Sequence, residues 1–146
     1  MTTILLLSGP NLDRLGVRSP EIYGTQTLDE HVERVSRLAA THGYDLRHRQ
    51  SNYEGDLIDE IAAAQDVAAI IINAGALTHT SWALADALAA FAGVSIEVHL
   101  SNPAAREPFR HTSTLASVVD GSIAGFGGLS YDLAVEAVHQ LLSNPA

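Results

Sequence analysis

The N-terminal part of the chain contains a long connection whose side chains could carry out acid–base chemistry. Residues Ser8–Gly24 read SGPNLDRLGVRSPEIYG and follow an apolar run, Ile4–Leu7. Most strand-to-helix connections are much shorter. Open α/β sheets place their ligands beyond the carboxyl ends of the strands. We therefore interpret this segment as a functional loop rather than as a plain surface lid.

Tyr23 is the candidate base in this loop. A free tyrosine loses its proton only near pH ~10, but a neighbouring guanidinium group stabilises the phenolate. Arg18, Arg106 and Arg110 are candidates for that role, or for binding an anionic substrate through two-point contacts. Simple solvation of each arginine is the alternative. It is weakened because three of the eight arginines flank one predicted cleft.

Glu97 and His99 form a second candidate pair, in the predicted strand Val94–Leu100. Residues two apart in a strand share a face, so the carboxylate can orient the imidazole and favour its protonated form as a general acid. A partly buried ion pair without chemistry is the alternative. Metal binding by Glu97 and His99 is a weaker alternative, because no third ligand has a suitable spacing in the sequence.

Polar side chains also follow the third predicted strand. Asn73 and His79 could read substrate hydroxyl groups, while Thr80 or Ser81 is expected to cap the next helix. The start of that helix also offers free N–H groups to an anion or a hydroxyl. Asp86 reads as a solvated helix residue. Because the carboxyl ends of parallel strands meet at one edge, all these positions predict a single site.

Composition excludes several classes of protein. The net charge is −9, without a basic run, which argues against nucleic acid and acidic membrane surfaces as partners. No apolar stretch approaches the ~20 residues that span a bilayer. The chain has no lysine, which excludes a mechanism through a lysine Schiff base and a P-loop phosphate site. It also has no cysteine, which excludes disulfides and cysteine nucleophiles. We expect a cytoplasmic protein, since the N-terminal residues carry no basic targeting segment.

Strand and helix patterns alternate through all 146 residues and predict one domain with a flavodoxin-like, doubly wound, five-stranded parallel sheet in three α/β/α layers. The predicted strands are Thr3–Ser8, Tyr44–Gln50, Ala68–Ile72, Val94–Leu100 and Gly121–Gly125. The predicted helices are Leu28–Ala40, Glu54–Ala64, Ser81–Ala92 and Leu129–Leu142. Thr27 and Glu30 are expected to form a capping box, and Tyr44–Gln50 is expected at or near an edge of the sheet.

These segments together resemble type II 3-dehydroquinate dehydratase, or type II dehydroquinase. The resemblance runs from Ile4 to about Val138 and rests on five stretches in order: GPNLDRLGVRSPEIYG, QSNYEGDLID, INAGALTHTSWAL, EVHLSNPAAREPFRHTS and IAGFGGLSY. It implies the conversion of 3-dehydroquinate to 3-dehydroshikimate without a cofactor or metal, through an enolate intermediate and anti elimination, as in the shikimate pathway.

The resemblance also implies a role for each matching residue. Tyr23 matches the base, Arg18 the arginine that keeps it ionised, and Asn11 the residue that holds a water against the enolate oxygen. His99 matches the general acid and Glu97 its companion. The substrate-binding positions matched are Asn73, His79, Leu100 (through its backbone), Ser101 and Arg110.

The resemblance further implies a homododecamer built of trimers, in which Asp86 reaches the site of a neighbouring subunit. Ser8, Asp13, Tyr53 and Trp82 depart from the family pattern, and none is a matched catalytic residue. Two other functions remain open at this stage. One is a non-catalytic flavodoxin-like binder of FMN or another small anion, and the other is an acidic scaffold with a decayed site.

Overall fold

The protein is described by a computed structural model that covers residues 1–145. The chain forms five strands, β1 (Thr2–Ser8), β2 (Tyr44–Gln50), β3 (Ala69–Asn73), β4 (Val94–His99) and β5 (Gly121–Ala124). They form a single parallel sheet in the order β2-β1-β3-β4-β5, which is the doubly wound arrangement predicted from the sequence. Strand β2 lies at one edge, as its alternating polarity indicated.

Helices cover both faces of the sheet and complete the three layers. They are α1 (Pro20–Tyr23), α2 (Leu28–Thr41), α3 (Glu54–Ala63), α4 (Trp82–Ala89) and α5 (Leu129–Ser143). Helices α2 and α5 pack on one face and α3 and α4 on the other. Within residues 1–145, none of the helices combines the length and the apolar character needed to cross a membrane.

Alternation along the central strands divides the core into two layers. In β1, Ile4 and Leu6 face α2 and α5, while Leu5 and Leu7 face α3 and α4, and all four are almost completely buried. Strand β3 has the run Ile70–Ile72 buried in the same alternating manner. A strand buried on both faces must be apolar throughout, which explains why its sequence shows no polar alternation.

The helix starts have the expected N-cap residues, but the capping box at Thr27 and Glu30 is only half formed, because the Glu30 carboxylate bonds to the Thr27 hydroxyl and not to the Thr27 backbone N–H. The Thr27 hydroxyl accepts a hydrogen bond from the Glu30 amide at 3.1 Å and donates to the Glu30 carboxylate at 3.2 Å. Ser81 caps α4 by accepting from the Leu84 amide at 3.0 Å. The bonds from the Glu30 and Leu84 amides satisfy N–H groups that otherwise have no partner in the first turn.

The predicted end of the third helix, at Ala92, was wrong. Helix α4 ends at Ala89, because the chain must turn there to enter β4. Gly93 lies so close to the residue before β3 that a Cβ atom on it would be 2.5 Å from the Ala68 carbonyl oxygen.

The first loop contains two short helices that its glycines and prolines concealed: the 3-10 helix Leu12–Arg14 and helix α1. Buried Leu12 and Leu15 anchor this loop to the core.

Candidate active site

A cleft lies at the carboxyl edge of the sheet. It is formed by the loops that follow β1, β3 and β4, as predicted from the positions of the polar residues. Ten of the twelve sequence-derived candidates line it: Asn11, Arg18, Tyr23, Asn73, His79, His99, Leu100, Ser101, Arg106 and Arg110. The other lining residues, which the sequence reasoning did not single out, are Pro10, Leu12, Gly75, Ala76 and Pro103.

The Tyr23 ring is flanked by two guanidinium groups. The Cζ atom of Arg18 lies 5.0 Å from the ring centroid, and that of Arg106 lies 5.1 Å away. Such contacts are favourable with the neutral ring, and more favourable with a phenolate because the opposite charges attract. Tyr23 is the last residue of α1, so the short helix fixes where the phenol enters the cleft.

Two non-glycine residues in the left-handed region shape the loop that carries Tyr23. Asn11 has φ 67° and Ser19 has φ 42°, and such conformations are held only when surrounding contacts determine them. The backbone N–H of Asn11 donates to Asn52 Oδ1 at 3.0 Å, and the side-chain Nε2 of Gln50 donates to the Gly9 carbonyl at 3.2 Å. The end of β2 therefore holds the base of the loop.

His99 is oriented from behind by Glu97. The His99 Nε2 atom lies 2.5 Å from Glu97 Oε2, in a site where Glu97 is 2% exposed. Since a carboxylate only accepts hydrogen bonds, Nε2 carries the proton of this bond. The other ring nitrogen, Nδ1, is thus the one available for proton transfer in the cleft. The pair predicted on one face of β4 is present.

Two serines complete the environment of Glu97. Ser113 donates to both carboxylate oxygens at 3.0 and 2.9 Å, and Ser122 donates at 3.2 Å. Burial raises the pKa of the Glu97 carboxyl, but the hydrogen bond and charge of His99, together with the two serine bonds, outweigh it. The pKa of Glu97 therefore lies below its usual value, and the residue is an ionised partner for His99. Ser122 could not be predicted as a partner of Glu97, because it lies outside the five sequence stretches that carry the resemblance.

Replacement of Glu97 by glutamine is expected to weaken the acid dependence of stability. Because the pKa of Glu97 is lower in the folded than in the unfolded protein, the ionised carboxylate stabilises the fold. This contribution is complete above the unfolded pKa and is lost as the pH falls through the folded value. Urea unfolding between about pH 2 and 7 measures it. Asp59→Asn, an exposed change on α3, is the control, and an unaltered pH dependence in Glu97→Gln would contradict the assignment.

His79 presents an acceptor to the cleft. Its Nδ1 atom lies 2.8 Å from the Thr112 carbonyl oxygen, which can only accept, so Nδ1 carries the proton. When the ring is neutral, Nε2 has a free lone pair that can accept a hydrogen bond from a hydroxyl group. The His79 and His99 rings stack with centroids 6.4 Å apart, which places both imidazoles on one side of the cleft.

The cleft is electropositive although the chain is acidic. Arg18, Arg106 and Arg110 line it, and none of the described lining residues is a carboxylate. Arg106 Nη1 donates to the Ser101 hydroxyl at 3.1 Å, and Arg110 Nε donates to Glu107 Oε2 at 2.5 Å. These bonds hold two guanidinium groups at the rim. Three guanidinium groups along one cleft favour an anionic group on its ligand.

Two of the twelve candidates lie outside the cleft wall. Glu97 is one layer behind His99, as described above, and Asp86 is exposed on α4. Asp86 therefore makes no contribution to the cleft of its own chain. Among residues 1–145, no three metal-ligating side chains come together in a cluster.

Comparison with known proteins identifies relatives over nearly the whole chain. The family described as Dehydroquinase class II matches residues 2–139. A 3-dehydroquinate dehydratase of Halalkalibacterium halodurans is 50% identical over 139 residues, covering 94% of this chain and 96% of the relative. One from Azorhizobium caulinodans is 55% identical over 137 residues, covering 93% and 92%.

Solved structures give the same result. The type II dehydroquinase of Butyrivibrio crossotus superposes with a TM-score of 0.92 at 38% identity, covering 94% of this chain and 97% of that one. The type II dehydroquinase of Propionibacterium acnes gives 0.92 at 42% identity, covering 96% and 97%. The similarity thus extends over whole chains rather than over one shared motif.

Proposed function

The chain belongs to the class II dehydroquinase family of lyases, and on that premise we propose that it dehydrates 3-dehydroquinate to 3-dehydroshikimate through an enolate intermediate with anti elimination. The observation that carries the proposal is the joint placement of Tyr23, held between two arginines, and His99, backed by Glu97, in one electropositive cleft. A base and an acid are the two groups that this elimination needs.

In the first step, the Tyr23 phenolate removes a proton from the carbon next to the substrate ketone. Arg18 stabilises the phenolate, and the electron pair of the broken C–H bond moves onto the ketone oxygen as an enolate. Asn11 holds a water molecule against that oxygen. Hydrogen-bond donors aimed at a developing oxyanion lower the barrier because they need no reorganisation during the reaction.

In the second step, His99 protonates the departing hydroxyl group. The enolate collapses, the C–O bond breaks, a carbon–carbon double bond forms and water leaves. Glu97 stabilises the imidazolium before this transfer and keeps the ring in position afterwards. In each cycle Tyr23 gains one proton and His99 loses one. Proton exchange with solvent then returns Tyr23 to the phenolate and His99 to the imidazolium.

Substrate binding is assigned to the remaining lining residues. Arg106 and Arg110 bind the carboxylate, since guanidinium groups pair with it through two contacts. Asn73, His79, Ser101 and the Leu100 backbone bind hydroxyl groups. His79 is suited to this because its Nδ1 donates to the Thr112 carbonyl, so that Nε2 of the neutral ring can accept from a hydroxyl group.

We further propose that the chain acts as a single catalytic domain in a cytoplasmic homododecamer built of trimers, in the shikimate pathway. Exposure of Asp86 on α4 is compatible with its reaching the cleft of a neighbouring subunit. The proposed domain spans residues 1–146, of which Ala146 lies outside the described residues.

The direct test is to mix the purified protein with 3-dehydroquinate and to follow the conjugated enone of the product by its ultraviolet absorbance. The proposal expects rapid product formation. A folded protein that forms no product but carries a bound flavin would instead favour the FMN-binding alternative. A folded protein that neither turns over nor binds 3-dehydroquinate would favour the acidic scaffold.

Removal of divalent metals is expected to leave the activity unchanged. The proposed steps are proton transfers between substrate and the side chains of Tyr23 and His99, with charge stabilised by arginine and asparagine. Steady-state rates should therefore agree before and after incubation with EDTA and desalting. A loss of rate that added metal restores would overturn the metal-free mechanism.

A further inference from the structure

The loop that carries Tyr23 is attached to the protein differently in its two halves. Buried Leu12 and Leu15 connect the first half to the core. In the second half, the segment Ser19–Gln26, the backbone hydrogen bonds close within the segment and most side chains are exposed. Tyr23 itself packs partly against the core and lies between two guanidinium groups. The segment that carries the proposed base therefore depends on few contacts for its position.

One hydrogen bond joins this segment to a helix. Among residues 1–145, the only hydrogen bond that Ser19–Gln26 forms outside itself runs from Arg34 Nη1, on α2, to Gln26 Oε1 at 3.3 Å. The donor is charged, and hydrogen bonds with a charged partner are stronger than those between neutral groups. Gln26 lies three residues after Tyr23, so the bond holds the chain close to the proposed base.

The Arg34 guanidinium is fixed by three further partners. Nη2 donates to the Gly128 carbonyl at 2.8 Å and to Asp132 Oδ1 at 3.0 Å, and Nε donates to the same carboxylate oxygen at 3.2 Å. Nη1 lies 3.2 Å from Nδ1 of His31, which is almost completely buried. All three guanidinium nitrogens thus have partners, so the group is held in one orientation when it donates to Gln26.

His31 supports this arrangement as a neutral ring. Because a guanidinium can only donate, His31 Nδ1 accepts the bond from Arg34 and the ring proton is on Nε2. Burial and the charge of Arg34 lower the pKa of His31. The carboxylates of Glu30 and Asp132 oppose this shift without cancelling it. The ring is therefore neutral at neutral pH, as its bond to Arg34 requires.

The same guanidinium is also connected to the strand that carries the proposed acid. Gly127, the residue before Gly128, donates its N–H to the Leu100 carbonyl at 3.0 Å. Leu100 directly follows His99 at the end of β4. Through Gly128 on one side and the Tyr23 segment on the other, Arg34 links the two parts of the chain that supply the base and the acid.

Resting on the proposed function, we infer that Arg34 is a positioning residue for the reaction, which acts through Gln26 to hold the segment Ser19–Gln26 so that Tyr23 keeps its place in the cleft. Arg34 itself does not line the cleft. Loss of the bond leaves the segment attached mainly by the Tyr23 ring. A misplaced base slows proton removal more than it weakens binding, because the proposed substrate-binding groups lie on other loops.

Limited digestion with trypsin tests this attachment without any need for turnover. Trypsin cleaves after arginine, and the bond between Arg18 and Ser19 lies at the start of the segment. Gln26→Leu should be cut there about 3- to 10-fold faster than the wild type, as expected for the loss of one hydrogen bond. Its Tm should not change, because Gln26 is exposed. Gln26→Glu, which keeps an acceptor oxygen, should be cut at the wild-type rate.

Exchange of the substrate proton next to the ketone is the second readout, because it reports on the Tyr23 step alone. In a His99→Ala background in D₂O, adding Gln26→Leu should slow this exchange about 3- to 10-fold. With His99 present, Gln26→Leu and Arg34→Leu should lower kcat and leave KM within about two-fold. Because both changes remove the same bond, the double variant should be no slower than Arg34→Leu alone.

Arg37→Leu is the matched control. Arg37 lies one turn further along α2, and its side chain bonds at 2.8 Å to Glu33 on the exposed side of the helix. Its loss should change neither cleavage nor exchange. Wild-type cleavage or wild-type exchange in Gln26→Leu, or additive effects in the double variant, would overturn the inference. Faster cleavage of Gln26→Leu in a protein whose wild type does not turn over 3-dehydroquinate would support the attachment and overturn the proposed function alone.

Discussion

Replacing Tyr23 by phenylalanine is expected to lower kcat by about 10³-fold or more while leaving the affinity for substrate within a few-fold of the wild type. The change removes only the phenolic oxygen, which is the atom that takes the proton, and general-base catalysis contributes about 10²- to 10⁴-fold. The ring still fills its place between Arg18 and Arg106. Turnover and equilibrium binding of 3-dehydroquinate measure the two effects separately.

Tyr53→Phe is the matched control for this prediction. Tyr53 is 73% exposed at the start of α3 and lies outside the cleft, so loss of its hydroxyl should leave both kcat and binding unchanged. A Tyr23→Phe enzyme that turns over at a near-normal rate would remove Tyr23 from the role of base. The Arg18 and Arg106 contacts would then serve only to hold the loop.

His99→Ala is expected to lower kcat by about 10²- to 10⁴-fold at an unchanged fold. Hydroxide is a poor leaving group, so the elimination needs the proton that His99 supplies. The loss should exceed that of Glu97→Gln, which keeps the imidazole but removes the charge behind it. Steady-state kinetics and circular dichroism of both variants test this order.

His42→Ala is the control for the loss of an imidazole. His42 follows α2 and bonds to Glu136 at 3.1 Å, outside the cleft. Its removal should leave kcat unchanged. Full activity in His99→Ala would exclude His99 as the acid, and a Glu97→Gln enzyme slower than His99→Ala would contradict the order of the two residues.

Much of the architecture follows from local patterns. The strand β3 could be recognised because a run such as Ile70–Ile72, apolar on both faces, suits the centre of a parallel sheet. Edge strand β2 could be recognised by its alternation. Once the strands are parallel, the residues after β1, β3 and β4 must share one edge. The sequence alone therefore predicts that Tyr23 and His99 lie at the same edge of the sheet, and both line the cleft there.

Other features depend on contacts distant in sequence. After α4, Gly93 lies against the Ala68 carbonyl, a close approach that no local pattern reveals. Ser122 reaches Glu97 only because β5 pairs with β4. Tyr131 was part of a recognised stretch, but its bond to Asn73 spans 58 residues and appears only when α5 packs on the sheet. Partners of this kind are fixed by packing and not by spacing.

The most direct test of the mechanism is the fate of the substrate proton next to the ketone, followed by proton NMR in D₂O with the wild type, Tyr23→Phe and His99→Ala. If Tyr23 forms the enolate and His99 acts only afterwards, His99→Ala should exchange this proton for deuterium faster than it forms product. Tyr23→Phe should neither exchange it nor form product. Exchange by Tyr23→Phe at the rate of His99→Ala would contradict the account, because another group would then be forming the enolate.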